Sequence, residues 1–140
     1  MLFLGAVPDE RVPPLVAAAG SAVASAPGMT LRLTGAGRFG SVRRPQVFWA
    51  GLDGDVQPLV DLAARLASAA RGLDLPVEER PFRPHLTLGR WPPRRTADGT
   101  LPERLTGYRG PTWRVGEVRL IESHLGRASP YETVAAWPVD

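Results

Sequence analysis

Apolar and polar residues follow one another along this chain with two different periods, and each period predicts a kind of element. Residues 29–34 alternate strictly, with leucines on one face and Thr or Arg on the other, which indicates a half-buried strand. Residues 56–70 repeat apolar positions every three or four residues, after Asp55 as an N-cap and before Gly72 as a stop. This second pattern predicts the clearest helix in the chain.

Weaker patterns predict the other helix and the remaining strands. An apolar face over residues 9–26 indicates a helix, with Pro13 and Pro14 in its first turn because prolines further along would break it. Apolar runs rich in β-forming residues predict further strands at residues 2–4, 46–52, 86–90, 114–123 and 131–137.

Clusters of Gly, Pro and Arg predict where the chain leaves regular structure. Loops are expected at residues 35–45 and 91–110, the second with one helical turn near residues 102–105, and a turn is expected near residues 126–130. The strands therefore come in pairs separated by helices. This order favours an α+β sandwich with antiparallel pairing.

The composition is that of a globular protein, and it removes several kinds of chemistry. At 140 residues, 44% hydrophobic and 22% charged, the chain is expected to be a single domain with its own core. It has no cysteines, which excludes disulfides, thiolate metal ligands and a cysteine nucleophile. No apolar run reaches the roughly 18 residues of a membrane span. The opening residues do not resemble a secretory signal, so the cytoplasm is the expected location.

The positive charge consists entirely of arginine. All 17 basic residues are Arg, and the net charge is +3. A guanidinium binds phosphate through a planar fork of donors, so the bias is compatible with an anionic ligand. A coding preference for Arg over Lys explains the same composition more simply.

The run GAGRFG, residues 35–40, matches the glycine spacing of dinucleotide-binding loops. That fingerprint requires a helix beginning at its third glycine, whose N-terminus holds the pyrophosphate. Here Gly40 is followed by SVRR and then by Pro45 and a strand, so no helix can begin there. We expect a flexible loop between two strands rather than a nucleotide site.

The stretch RPFRPHLTLGR, residues 80–90, places two polar groups on one side of a strand. His85 and Thr87 share a face because side chains two residues apart in a strand point the same way. The leucines at 86 and 88 point to the opposite face, where we expect them to pack against a helix. Arg90 would share the leucine face of a regular strand, unless a turn at Gly89 swings it toward the pair.

These three residue types suit the chemistry of a phosphate ester. Histidine titrates near neutrality and can take or give a proton. A threonine hydroxyl can donate to a phosphoryl oxygen, and an arginine can hold a second one. The pattern predicts one half of a metal-free phosphate-ester site. On the His-x-Thr triplet alone, a surface histidine on an edge strand is the favoured interpretation.

The longer context resembles a known family. RPFRPHLTLGR is similar to the second signature of the 2H phosphoesterases, in particular the bacterial RNA 2′,3′-cyclic phosphodiesterases, also called 2′-5′ RNA ligases or LigT-like proteins. MLFLGAVPDERVPPL, GAGRFGSVRRPQVFWAGL and VRLIESHLGRASPYETVAAWPV resemble further segments of that family, in the same order. The resemblance covers nearly the whole chain.

The resemblance implies a fold, a reaction and roles for four residues. The family has two similar lobes, each giving one His-x-Thr, and opens a 2′,3′-cyclic phosphate at an RNA end to a 2′-phosphate without a metal or other cofactor. One histidine activates water and the other protonates the leaving 3′-oxygen. By this resemblance His85 is the general base, Thr87 contacts the phosphate, and Arg90 and Arg83 bind the substrate. The implied partner is RNA with a cyclic phosphate end, or a small cyclic nucleotide.

One family element has no counterpart in these residues. Continuing the family's register, the first His-x-Thr would fall ahead of Met1, and an internal alignment puts Met1 opposite His85 and Phe3 opposite Thr87. Neither alignment supplies a histidine or a threonine. Residues 1–140 are therefore expected to form a single 2H phosphoesterase-like domain that lacks the opening strand and helix. We expect His124, the other histidine, to be an exposed residue at a strand end.

Three hypotheses remain open from the sequence. The first is a cyclic phosphodiesterase. The second is a non-catalytic or truncated member that binds RNA ends or phosphorylated nucleotides through a cluster of arginines, which comprises Arg80, Arg83, Arg90, Arg94 and Arg95. The third concerns the oligomeric state: a monomer is expected, and a dimer would form if the exposed opening strand paired with that of a second copy.

Overall fold

The computed structural model describes residues 1–93, 98–124, 126 and 130–140, and these residues form two compact units. Unit 1 comprises Met1–Met29, Gln57–Phe82 and Val115–Asp140, and unit 2 comprises Thr30–Val56 and Arg83–Arg114. Each unit contains an antiparallel sheet, and the two helices belong to unit 1 apart from the first residue of the second helix. The α+β class predicted from the sequence is confirmed.

Two α-helices, two short 3-10 segments and six strands make up the regular structure of the described residues. The helices are α1 (Val12–Ala24), which follows a 3-10 turn at Asp9–Arg11, and α2 (Val56–Arg71). The strands are β1 (Thr30–Gly40), β2 (Pro45–Gly54), β3 (His85–Arg90), β4 (Arg109–Arg114), β5 (Glu117–Ser123) and β6 (Tyr131–Pro138). A 3-10 helix at Leu101–Leu105 precedes β4. Neither α-helix is both long and apolar enough to cross a membrane.

Unit 1 holds most of the buried apolar side chains of the described residues; Leu31, Val47 and Ala50 are those of unit 2. Leu15, Ala19 and Val23 recur every four residues along α1 and are buried. The other buried apolar residues of unit 1 directly precede β1 or come from α2, the segment after it and the chain end: Met29, Leu62, Ala63, Ala67, Ala70, Leu75, Val77 and Val139. Burying a side chain the size of Val or Leu contributes about 1.5–3 kcal/mol, so this core fixes both helices.

Unit 2 is built on a four-stranded sheet in the order β3-β2-β1-β4. Every neighbouring pair is antiparallel. The 3-10 helix is attached to β1 by Arg38, whose Nη1 donates to the backbone carbonyl of Gly99 at 2.8 Å and to Glu103 Oε1 at 2.7 Å. That hydrogen bond is the largest cause of the lowered pKa of the Glu103 carboxyl.

The helix predicted over residues 56–70 is confirmed at both ends, whereas the one predicted over residues 9–26 is shorter, with a 3-10 turn at Asp9–Arg11 and an α-helix over Val12–Ala24. α2 begins directly after Asp55 and ends directly before Gly72. The carboxylate of Asp55 accepts a hydrogen bond from the backbone N–H of Thr30 at 2.7 Å. Pro13 and Pro14 lie in the first turn of α1, where their missing N–H groups have no intrahelical partner to lose.

The strand predicted at residues 2–4 is wrong. This segment is within the described part of the chain, and it forms no strand. Its side chains still alternate: Leu2 and Leu4 pack against the core of unit 1, whereas Met1 and Phe3 are exposed. Alternating burial does not make a strand without a partner that completes the hydrogen-bonded ladder. The opening strand on which the self-pairing hypothesis rests is therefore not formed.

The glycine-rich loop and the strand near residue 114 also differ from the predictions. β1 continues through residues 35–40 and pairs with β2, so the connecting loop is confined to residues 41–44. The strand predicted at 114–123 divides, because Val115 and Gly116 separate β4 in one sheet from β5 in the other. The side chains of a segment that passes from one sheet to another can be apolar along its whole length. The hydrophobic pattern alone therefore does not reveal the break between β4 and β5.

Candidate active site

The polar residues of the His-x-Thr stretch lie on one face of the unit 2 sheet. Val47, Trp49 and Gly51 share this face of β2, since they are two residues apart and the register shifts within residues 47–51 put their extra residues on the neighbouring strands. Directly paired residues of antiparallel strands point to the same side. On β3, Gly51 pairs with His85 and Trp49 pairs with Thr87. We call this side of the sheet the His85 face.

A bulge brings Arg90 to the His85 face. The register of β2 and β3 shifts so that Trp49 pairs with Thr87 and Phe48 pairs with Gly89, which leaves Leu88 as an extra residue. Beyond the bulge, Arg90 pairs with Val47 and so lies on the same face as His85 and Thr87. The chain does not turn at Gly89, as the sequence suggested it could; β3 runs straight through to Arg90.

The imidazole of His85 is held by a hydrogen bond and by two aromatic rings. Its Nδ1 lies 2.6 Å from the backbone oxygen of Arg83. A carbonyl can only accept, so Nδ1 carries the proton and the Nε2 of the neutral ring is left as an acceptor. Phe39 packs edge-on against the imidazole with the ring centroids 5.0 Å apart, and Trp49 lies 6.3 Å away. The Phe39 and Trp49 centroids are 5.7 Å apart, so the three rings form one cluster.

The expectation that a helix buries the leucines of β3 is wrong. Leu86 and Leu88 are 48% and 46% exposed. β3 is the edge strand of its sheet, and α1 and the body of α2 belong to unit 1. His85 is instead held from its own side of the sheet, by the rings of Phe39 and Trp49.

The glycines of GAGRFG are required by the sheet. Gly35 is the extra residue at a register shift in β1 and has a φ of 54°, and Gly40 has a φ of 87° at the end of the strand. Gly37 pairs with Trp49, whose indole lies across it. A methyl group at Gly37 would overlap Cζ2 and Cη2 of that indole and lie 2.8 Å from Cε2. The motif thus accommodates the tryptophan of the candidate site, and no helix follows it, as predicted.

The arginines predicted around the motif are placed unevenly. The side chains of Arg83 and Arg90 are exposed, and Arg83 also supplies the carbonyl that orients His85. Arg80 belongs to unit 1. Arg94 and Arg95 lie outside the described residues, as do residues 125 and 127–129 of the turn expected near 126–130.

His124 directly follows β5, as predicted, but it is less exposed than expected. Its side chain is 22% accessible, and its Nε2 lies 3.6 Å from Glu132 Oε2 and 3.7 Å from Glu122 Oε1. Its backbone N–H donates to the carbonyl of Pro130 at 2.7 Å. These neighbours, on the hairpin of β5 and β6, account for its position in structural terms.

The arrangement on the His85 face can bind and activate a phosphate ester. The free Nε2 of His85 can accept a proton from water, the exposed hydroxyl of Thr87 can donate to a phosphoryl oxygen, and Arg90 can bind another through its guanidinium. Fixing Nδ1 to a carbonyl selects the tautomer that a general base requires. The arrangement therefore suits acid–base and electrostatic chemistry at phosphorus.

Comparison with known proteins identifies the family of the chain. Residues 2–127 match the model of the 2′-5′ RNA ligase superfamily, and the chain belongs to this family. A curated relative from Geobacillus stearothermophilus, named RNA 2′,3′-cyclic phosphodiesterase, is 31% identical over 144 aligned positions that cover 99% of this chain. The chain spans 44% of the length of that relative.

Solved structures show the same fold. The chain matches TT0787 of Thermus thermophilus with a TM-score of 0.75 and 26% identity, covering 98% of this chain and 74% of the other. It matches E. coli LigT complexed with 3′-AMP with a TM-score of 0.72 and 30% identity, covering 98% of this chain and 73% of the other. The α+β fold inferred from the resemblance is therefore that of the LigT-like 2H phosphoesterases.

Sequence reasoning missed Phe39 and Trp49 as parts of the site. The sequence predicted only a structural place for each, Phe39 within a loop and Trp49 within a strand. The alternation of Val47, Trp49 and Gly51 was visible, but the pairing that puts this face beside His85 depends on contacts more than 30 residues apart. Without that pairing, an aromatic residue in a strand indicates only a core position.

Proposed function

We propose that the chain hydrolyses RNA 2′,3′-cyclic phosphate ends to 2′-phosphates without a metal ion. The observation that carries this proposal is the common face of His85, Thr87 and Arg90, with the histidine fixed so that Nε2 is free. The name of the Geobacillus relative and the membership of the 2′-5′ RNA ligase superfamily give further support.

In the proposed reaction, His85 Nε2 takes a proton from a water molecule as the water oxygen attacks phosphorus. A new P–O bond forms, and the bond between phosphorus and the 3′-oxygen breaks. Thr87 and Arg90 bind the non-bridging oxygens, whose charge increases in the transition state, and so stabilise it. The 3′-oxygen leaves with the electron pair and takes up a proton, and the phosphate stays on the 2′-oxygen.

The proton for the leaving oxygen limits the expected rate. His85 is the only histidine in the sequence of unit 2, so we expect this proton to come from water. A positioned acid or base typically contributes about 10²–10⁴-fold. The turnover of these 140 residues should therefore be slower, by about that factor, than that of a relative with two such groups.

The alternative is a protein that binds phosphorylated RNA ends without turnover. It is favoured by the same single histidine, together with the exposed guanidinium groups of Arg83 and Arg90. Such a protein would bind an RNA with a terminal phosphate in a salt-dependent manner. Replacing His85 by alanine would then leave the affinity unchanged.

Incubation of a 2′,3′-cyclic mononucleotide with the chain in EDTA tests the proposal, with the product resolved by chromatography. We expect a 2′-phosphate product with the wild-type chain and none with His85→Ala. Gly107→Ala, in the same unit and with no heavy atom within 4 Å of the added methyl group, should retain the activity. Binding without product by a folded wild-type chain would establish the alternative.

We further propose that the chain is a monomer, since residues 1–8 form no strand with which a second copy could pair. The cytoplasm stays the location that the sequence predicts. Sedimentation velocity over a wide range of protein concentration should give one constant sedimentation coefficient. A coefficient that rises with concentration would contradict this proposal.

A further inference from the structure

We propose that the His85 face also binds the nucleotides that precede the cyclic phosphate, with Arg109 and Arg32 as contacts to their phosphates. This inference rests on the proposed function for the position of the RNA end at His85, Thr87 and Arg90. It makes the preferred substrate an oligonucleotide rather than a cyclic mononucleotide.

One row of paired residues runs across the whole sheet from the proposed end-binding site. His85 on β3 pairs with Gly51 on β2, Gly51 pairs with Thr34 on β1, and Thr34 pairs with Arg109 on β4. Neighbouring strands are about 4.8 Å apart, so the row extends about 14 Å from β3 to β4. Residues joined in this way lie on the same face, so Arg109 and His85 are presented to the same side.

The middle of this row carries one small side chain, that of Thr34, because Gly51 has none. Gly51 separates His85 from Thr34, and a methyl group there would lie 2.7 Å from the backbone oxygen of Thr34. No larger residue fits without displacing β1. The Thr34 hydroxyl is directed sideways, where it donates to the carbonyl of Tyr108 at 3.3 Å. The surface between His85 and Arg109 is therefore free of large side chains from the row itself.

The far end of the row is basic and accessible. The Arg109 side chain is 65% exposed, and its Nη2 lies 3.4 Å from Asp53 Oδ2. That carboxylate limits the positions that the guanidinium can adopt and leaves its other donors available. Arg32 pairs with Asp53 and with Thr112 in the adjacent row, so a second guanidinium lies on the same face and is half-buried. Two arginines and one aspartate give this end a net positive charge, which suits the phosphates of a single strand.

Two substrates that share the same reacting end distinguish this inference from the proposed function. One is a 2′,3′-cyclic mononucleotide, and the other is a short single-stranded RNA that ends in the same cyclic nucleotide. We expect Arg109→Ala to lower kcat/KM for the RNA about tenfold, the loss of a charge-assisted hydrogen bond, and to leave the mononucleotide unaffected. The slope of log affinity against log salt should fall by about 0.7 for each arginine removed, the value for single strands.

Asp53→Asn provides a change of opposite sign at the same position. The amide keeps a hydrogen-bond acceptor for Arg109 but removes the negative charge, so the RNA should bind more tightly and the mononucleotide should be unaffected. Arg43→Ala is the matched control, because Arg43 lies exposed in the β1–β2 loop, beyond the ends of the paired strands. Its ratio of RNA to mononucleotide turnover should equal that of the wild-type chain.

The inference is overturned if Arg109→Ala lowers kcat/KM equally for both substrates, or for neither. It is also overturned if Asp53→Asn weakens RNA binding. Thermal unfolding checks that each variant is folded. If the wild-type chain hydrolyses neither substrate, the proposed function fails, and fluorescence anisotropy of a labelled RNA bound to the same variants still tests the surface. In that assay an unchanged affinity for Arg109→Ala would overturn the inference.

Discussion

Replacing Gly37 by alanine should disturb the candidate site without touching a polar residue of it. The added methyl group would overlap two atoms of the Trp49 indole and lie 2.8 Å from a third. Carbon atoms in contact are about 3.5–4.0 Å apart, so the indole must move by more than about 1 Å. Trp49 packs on Phe39, and both rings pack on His85, so the imidazole must move with them.

The expected losses follow from the size of that movement. Overpacking of this kind costs about 1–3 kcal/mol, and the free energy of unfolding should fall by that amount. A displacement of about 1 Å at a reacting group can cost about 10²-fold, so kcat/KM for a cyclic mononucleotide should fall by up to that factor. Denaturant unfolding and the hydrolysis assay measure the two effects. The ring protons of His85 should shift in NMR spectra, whereas those of His124, the other histidine, should not.

Two controls decide whether the indole is the cause. Gly107→Ala, in the same unit, places its methyl group in open space and should change neither stability nor turnover. In a chain that already carries Trp49→Leu, Gly37→Ala should cost much less, because the overlapping atoms are gone. A penalty that is the same in both backgrounds, or a Gly37→Ala chain as stable and active as Gly107→Ala, would refute the reasoning.

Further predictions concern charge and backbone conformation. The pKa of Glu103 is lowered chiefly by its hydrogen bond from Arg38, so it stabilises the fold above the ordinary pKa of a glutamate, and this stabilisation is lost as the pH falls through the lowered value. Glu103→Gln should remove that part of the acid dependence in unfolding experiments, and an unchanged profile would show that the bond is not formed. Arg90→Ala should lower kcat/KM for a cyclic mononucleotide by about 10–100-fold. Its Tm should change little, because the side chain is exposed, and a large loss of Tm would mean a structural role. Gly40→Ala should destabilise the chain by about 1–3 kcal/mol, because its φ is 87° and the methyl group would overlap the carbonyl oxygen of Arg44; equal stability in denaturant would contradict this.

Hydrophobic periodicity predicted those elements whose formation depends on local sequence. α2 carries its apolar spacing, its N-terminal aspartate and its terminal glycine within one continuous segment, so both ends could be located. The segment at residues 2–4 has equally regular alternation, yet it forms no strand. A strand depends on a neighbour, and the sequence of the strand itself does not specify one.

The candidate site shows the same division between local and long-range information. That His85 and Thr87 share a face follows from the period of a strand. The position of Arg90 depends on the extra residue Leu88, which is visible only in the pairing of β3 with β2. The glycine-rich run suggested flexibility, but Gly37 is small because Trp49, 12 positions along the chain, lies across it. Long-range packing of this kind leaves no periodic trace in the sequence.

The most direct test of the central claim is hydrolysis of a short RNA ending in a 2′,3′-cyclic phosphate, in the presence of EDTA, by the wild-type chain and by His85→Ala. We expect slow conversion to the 2′-phosphate by the wild-type chain, no conversion by His85→Ala, and wild-type turnover by the Gly107→Ala control. Conversion that persists in His85→Ala, or its absence with a folded wild-type chain, would contradict the assignment of His85 as the general base of a cyclic phosphodiesterase.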